Sequence, residues 1–110
     1  MTIDAHFHCW QLSRGDYGWL TPALAPIYRD VAVDDWLAQA QPHGVEGGVV
    51  VQAAATEAET HFLLQQADAH ERVLGVVGWV DLLAPDAVAR ITALAQHPKL
   101  KGLRPMLQDI

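Results

Sequence analysis

An α/β fold of βαβαβαβ order is predicted by three features of the sequence. Short apolar runs recur along the chain, helix-spaced stretches separate them, and the last three runs begin at an even interval, at Gly47, Leu74 and Leu100. Strands alternating with helices call for a parallel sheet with right-handed crossovers. Two architectures use this repeat: a closed (β/α)8 TIM barrel, or a small open doubly wound sheet. A barrel takes about 250 residues, whereas this chain has 110 and stops just after a strand with no helix to cover it. We therefore expect residues 1–110 to be the N-terminal half of a single barrel domain. The open sheet is the alternative.

The first strand is expected at Ile3–His8, where Ile3, Ala5 and Phe7 alternate with Asp4, His6 and His8. A long insertion follows, from Trp10 to Ala32, carrying Trp10, Tyr17, Trp19, Tyr28 and several prolines. Trp36, Leu37 and Ala40 share one helical face, and Gly44 is a stop signal. The runs Gly47–Val51 and Leu74–Val80 are apolar on both faces, as parallel strands covered on each side should be. Between them, Thr56 and Glu59 match a capping box ahead of a stripe of Phe62, Leu63 and Ala67. A third helix starts near Pro85–Asp86, aligns Val88, Ile91 and Leu94 on one side, and stops before Pro98. The last strand is expected at Leu100–Arg104.

Thirteen acidic residues against seven basic ones leave a formal charge of -6. That balance argues against a nucleic-acid footprint and against a polybasic membrane patch. No apolar run approaches the roughly 18 to 20 residues of a membrane span, and the N-terminus MTIDAHFHCW lacks the pattern of a signal peptide. The single cysteine, Cys9, allows no intrachain disulfide. A cytoplasmic protein without nucleic-acid or membrane partners is the expectation.

The polar face of the first strand is where chemistry is expected. In an open sheet Asp4, His6 and His8 would be buried under helices, at several kcal/mol unless partnered. In a barrel they point into the lumen near its C-terminal mouth, where catalytic groups collect. Two imidazoles about 6 to 7 Å apart along a strand can converge on a divalent ion such as zinc; a hydrogen-bonded histidine pair is the plainer reading. Gln52, Asp81 and Arg104 follow or end the later strands, where α/β enzymes place ligand contacts and where loop residues also cap turns. Arg104 at the end of a buried strand needs an anionic or oxyanionic partner, from a ligand or from a carboxylate such as Asp109. The aromatic side chains of the first loop either form a satellite core or wall a pocket mouth. His43, His61, His70 and His97 read as surface or helix-terminal residues, and Cys9 as a packed neutral thiol.

Four stretches, IDAHFHCW, GGVVVQAAATEAETHFLLQQA, VLGVVGWVDL and LKGLRPMLQDI, cover nearly the whole chain. In their order and spacing the chain resembles the N-terminal part of the amidohydrolase superfamily, in its branch of TIM-barrel lactonases that includes sugar-acid lactonases and pyrone-dicarboxylate lactonase. The resemblance implies a (β/α)8 fold and hydrolysis of a small-molecule lactone. It implies that His6 and His8 bind a divalent metal, zinc foremost, or act directly as hydrogen-bond donors. It implies that Arg104 is catalytic, holding a carboxylate or polarising a carbonyl, and that Trp10, Gln52, Trp79 and Asp81 contact substrate. The superfamily's later elements, a histidine on strand five or six and the strand-eight Asp that acts as general base, have no counterpart here.

Outside this family, a small flavodoxin-like binding domain and a non-catalytic remnant of a hydrolase are the alternatives. Within it, decarboxylation or hydration of an unsaturated acid is the other chemistry the same residues could serve. Because general-base catalysis needs a group within reach of the attacking water, residues 1–110 alone should turn over no sugar lactone in a hydrolysis assay. With two unpaired sheet edges, they should also sediment as dimers or larger species; a clean monomer with cooperative unfolding would contradict the half-barrel expectation.

Overall fold

The computed structural model describes residues 1–105. Four parallel strands, β1 (Thr2–Phe7), β2 (Val45–Val51), β3 (Val73–Gly78) and β4 (Leu100–Leu103), alternate with helices α1 (Val33–Ala40), α2 (Glu57–Ala69) and α3 (Ala87–Leu94). The strands lie in the order β1-β2-β3-β4. That order excludes the doubly wound alternative, whose strand order must reverse at a switch point. Right-handed crossovers that always step the same way deliver every helix to one face of the sheet. The core agrees: Leu63, Leu64 and Ala67 of α2, Leu94 of α3 and the partly buried Trp36 and Leu37 of α1 pack in one cluster with Val50, Val73 and Val76. All three strand pairings carry local register shifts, places where one strand spends an extra residue against its neighbour. The sheet is thus the first half of a (β/α)8 wall.

One of these shifts corrects the expected alternation of β1. Asp4 pairs with Gly48 and Phe7 with Val50, so β1 spends one residue more than β2 over the same distance, as at a β-bulge. An extra residue reverses the parity of everything on one side of it. Asp4 and Phe7 therefore meet the same helix side chain: the Trp36 indole N–H donates to Asp4 Oδ2 at 3.0 Å, and the Trp36 ring stacks on Phe7 at 4.0 Å. Asp4 Oδ1 also accepts the amide of His6, within the bulge, at 3.0 Å. Asp4 does not share a face with the histidines. Nor do Ile3 and Ala5 pack beneath helices; Ile3 is 46% exposed, and of that set Phe7 alone is buried.

Helix α1 runs into a short 3-10 turn, Gln41–His43, that ends at Gly44 with φ of 73°. A left-handed residue closes such a turn without steric cost only when it lacks a Cβ. Helix α2 realises half of the expected capping box: the Thr56 hydroxyl accepts the Glu59 amide at 3.0 Å, but the Glu59 carboxylate turns inward instead of returning to the cap. In α3 the buried face is Ala87, Ile91 and Leu94, while Val88, expected on it, is 79% exposed. Ala87, Ile91 and Leu94 follow the i, i+4, i+7 spacing of one stripe, and Val88 lies a residue to its side. Among the described residues no helix is long and apolar enough to cross a membrane.

The end of β3 is clamped by α2. The buried Thr60 hydroxyl accepts the Trp79 amide at 2.8 Å and donates to the Trp79 carbonyl at 2.7 Å. This approach leaves no room at Gly78, where a Cβ would stand 2.6 Å from Thr60 Cγ2 and 2.8 Å from its Oγ1. A Cβ at Gly102 would meet only Val77 Cγ2 at 3.8 Å. Gly78→Ala should therefore destabilise the chain by about 1–3 kcal/mol through overpacking, while Gly102→Ala should leave the urea midpoint nearly unmoved. Equal midpoints for the two variants would show that the clamp yields freely.

Candidate active site

Every strand of a parallel sheet points its C-terminal end to the same rim, and there the ends of β1, β2 and β4 meet. His6 and His8 converge, with Nε2 to Nε2 at 3.1 Å and ring planes 79° apart. His8 Nδ1 lies 2.8 Å from the carbonyl oxygen of Val51, at the end of β2. A carbonyl can only accept, so the proton sits on Nδ1 and the lone pair on Nε2. Burial lowers the pKa of His8, and the nearby His6 and Arg104 lower it further, against the raising effect of the Val51 hydrogen bond. The neutral imidazole that results is the metal-ligating form.

Two nitrogens bound to one tetrahedral zinc at about 2.0–2.1 Å would stand roughly 3.3 Å apart. The observed separation suits such a pair, and it equally suits a hydrogen bond from the His6 Nε2–H to the lone pair on His8 Nε2. The hydrogen bond that His8 Nδ1–H donates to Val51 supplies the orienting contact that a metal-bound histidine needs. Two ligands make only part of a site. Among the described residues no group of three or more His, Cys, Asp or Glu could hold a metal ion.

Gln52 follows directly on Val51 and is fully buried. Its amide donates to the Val77 carbonyl at 2.8 Å. Its side-chain oxygen accepts from Arg104 Nε at 2.8 Å, its carbonyl accepts from Arg104 Nη2 at 2.9 Å, and its side-chain nitrogen donates to the Arg104 carbonyl at 3.2 Å. Arg104 is in turn held to the sheet by its own amide, which donates to the Gly78 carbonyl at 2.9 Å. The Gln52 side chain thus spans from β2 to β4 across β3 and fixes a guanidinium near His8. Asp109, the carboxylate considered as a partner for Arg104, lies outside the described residues.

The remaining candidates sit around this group. Trp79 is held through its backbone by Thr60. Asp81 is exposed and accepts the Leu83 amide at 3.0 Å; the structure leaves it in its own turn and outside the His–Gln–Arg group. Trp10 donates its indole N–H to the Arg29 carbonyl at 2.8 Å and pairs through its backbone with Val31, closing the base of the first loop. Tyr17 and Leu20 of that loop are buried against Ala53 and Ala54, with Trp10 and Leu12 packed alongside, so the loop does form a satellite core. Trp19 and Tyr28 remain 41% exposed.

Sequence reasoning missed Glu59, whose side chain is fully buried. Its Oε1 accepts from Arg14 Nη1 at 2.7 Å and from the Tyr17 hydroxyl at 2.8 Å, and its Oε2 accepts the Ala53 amide at 2.7 Å. Arg14 also pairs with Asp16 at 2.9 Å, and Asp16 accepts the Thr56 hydroxyl at 2.6 Å. Since Thr56 caps Glu59, the hydrogen bonds form a closed ring that begins and ends on one residue. The Arg14 guanidinium covers the Phe62 ring at 4.6 Å. Burial, the Glu59 hydrogen bond and the Glu59 charge push the Tyr17 phenol above its ordinary pKa. Burial and the same charge push the Cys9 thiol up to about 12. A glutamate three residues after a capping threonine reads as a surface box; the sole signal to the contrary was an Arg-x-Asp-Tyr cluster in the preceding loop.

Comparison with known proteins adds to this geometry. The family model described as Amidohydrolase matches residues 3–109. The chain is similar to an L-fucono-1,5-lactonase of Burkholderia ambifaria, 45% identical over 108 residues that cover 98% of this chain and 37% of the relative. An L-fucono-1,5-lactonase of Burkholderia multivorans is 36% identical, over 99% of this chain and 36% of the relative. A crystal structure of an amidohydrolase from Burkholderia multivorans, with bound zinc, superposes with a TM-score of 0.89 at 35% identity, covering 100% of this chain and 38% of that one. The chain thus spans little more than a third of the length of the curated lactonases it matches.

The buried carboxylate makes a sharp demand on Arg14. Arg14→Met should lower stability by about 3–5 kcal/mol, the range for stranding one partner of a buried pair. Tyr17→Phe should cost about 1–3 kcal/mol for one lost hydrogen bond to a buried charge. Replacing the exposed Arg72 by Ala should leave the urea midpoint almost in place. Similar midpoints for the Arg14 and Arg72 variants would mean that Glu59 is not held as described.

Proposed function

This chain belongs to the amidohydrolase family, and from that premise we propose that it forms the first half of a barrel that hydrolyses a small lactone, the cyclic ester of a sugar acid. The observation that carries the reading is the junction of His8, Gln52 and Arg104 at one rim of the sheet, through bonds of 2.8–2.9 Å to the end of β2. Polar groups gathered at C-terminal strand ends are the working position of (β/α)8 enzymes. The names of the similar Burkholderia proteins support L-fucono-1,5-lactone or a close analogue as substrate.

In this reading His6 and His8 would hold a divalent ion, zinc foremost, with the remaining ligands drawn from outside the described residues. Such an ion supplies Lewis-acid polarisation of the ester carbonyl. Arg104 is the catalytic residue of this chain: its planar fork faces the oxygen that gains charge as water adds to the carbonyl, and stabilises that charge more than the ground state. Gln52 keeps the fork in place, so its action on substrate runs through Arg104. Trp10 and Trp79 line the pocket, and Asp81 shapes the turn beside it. Asp4, bound to Trp36, is withdrawn from any role with water. The general base comes, on this proposal, from outside these residues. A reducing, cytoplasmic setting suits the single buried thiol, Cys9.

Complementation tests the reading. Combined with the part of the Burkholderia ambifaria lactonase that this chain does not match, it should restore turnover of L-fucono-1,5-lactone. In that assembly Arg104→Ala should lower kcat by roughly 100- to 1,000-fold, and His6→Ala with His8→Ala should abolish stoichiometric zinc uptake. Continued inactivity of a folded assembly would mark the chain as a non-catalytic remnant.

A further inference from the structure

Of the four tryptophans, Trp36 is stacked on Phe7, and Trp10 and Trp79 are partly buried. Trp19 is different, being firmly held and 41% exposed at once. Its indole N–H donates to the Ala53 carbonyl at 2.8 Å. Its ring stands nearly perpendicular to that of Trp10, with centroids 5.4 Å apart, and to that of Tyr17 at 6.4 Å. The Ala53 amide is itself bound by Glu59 at 2.7 Å, so both polar groups of that residue are committed. Ala53 directly follows Gln52, whose carbonyl and side chain hold Arg104. A rigid indole is thus mounted on the residue adjoining the Gln52–Arg104 pair.

An open indole face carries the negative side of its quadrupole outward. It repels a carboxylate and attracts flat surfaces of C–H bonds, above all those whose carbons bear oxygen and are thereby polarised. One side of a six-membered sugar lactone is such a surface, and a ring with its hydroxyls turned away would leave its polar edge toward the guanidinium. Resting on the lactonase reading above, we propose that Trp19 is a substrate-stacking residue, which selects six-membered sugar-derived rings over small acyclic esters and acids. Its polar anchor to Ala53 sets the distance between the stacking surface and Arg104.

The test titrates the complemented assembly described above calorimetrically with L-fuconate, the ring-opened product, with its unreactive six-membered cyclic ether analogue, and with acetate. Trp19→Ala should weaken the cyclic ether analogue about tenfold, the scale of one aromatic contact, and leave acetate binding unchanged. Trp19→Phe should recover most of the loss. Trp19→Ala binding the ring as tightly as the parent overturns the proposal. So does a parallel loss for ring and acetate that Phe does not repair, because that pattern marks a loosened loop. Arg104→Ala judges the underlying reading separately: it should weaken fuconate and acetate together. If it weakens neither, the site reading fails, whereas a flat response to Trp19→Ala beside a large one to Arg104→Ala removes the stacking role alone. A parent assembly that binds none of the three probes overturns both.

Discussion

A carboxylate removed entirely from water must be surrounded by donors, since its desolvation is worth several kcal/mol even after relaxation. Glu59 is such a group, and much of the structure follows from satisfying it. Arg14 and Tyr17 come from the long segment after β1, Ala53 from the turn after β2, and Glu59 itself from the first turn of α2. Three stretches that have no backbone ladder in common are thereby joined at one point. The N-terminal end of a helix favours negative charge as well, so the position of Glu59 on α2 assists. Tyr17 buries its ring on Ala53 and Ala54 only because its hydroxyl finds this partner. The loop that carries Trp10 and Trp19 inherits its order from that burial.

The rim of the sheet depends on a second constraint, the parity of β1. Without the bulge, Asp4 would lie with the imidazoles, and its charge would draw the His8 proton balance toward the cation. With it, Asp4 is spent on Trp36 and on the bulge's own amide. His8 keeps a backbone carbonyl as its orienting partner and stays neutral. The same rim shows how a neutral side chain can discipline a charged one. Gln52 offers Arg104 two oxygens and donates to the Arg104 carbonyl in return, so an uncharged side chain sets the direction of the guanidinium.

The parts of the fold that could be read from sequence are those set by local pattern. The apolar runs of β2 and β3, the Thr56 cap and the Leu63–Ala67 stripe depend on neighbours a few residues away, and they stand where the periodicity puts them. Barrel rather than open sheet was legible from the His6/His8 pair of the first strand, though not from Asp4, and the consecutive strand order agrees with it. Long-range chemistry was not legible. Nothing near Glu59 says that its carboxylate meets a residue 45 positions earlier, and its spacing from Thr56 mimics a surface motif. The bulge that turns Asp4 away has no Gly or Pro to announce it; it is imposed by pairing with β2. Val88 fails for a smaller reason, since its spacing from Ile91 suits one stripe while the sheet receives the neighbouring one.

The clamp between α2 and β3 carries an implication for how related sequences can differ. Threonine at position 60 fills the space that a side chain at position 78 would occupy, and its hydroxyl serves both polar groups of Trp79. Serine at 60 could keep the hydroxyl and free some volume, whereas valine would fill the volume and orphan the strand end. The two sites are therefore tied. A lineage that enlarges residue 78 must first shrink residue 60, and one that loses the hydroxyl must find another way to finish the strand, so drift at either position is channelled through the other.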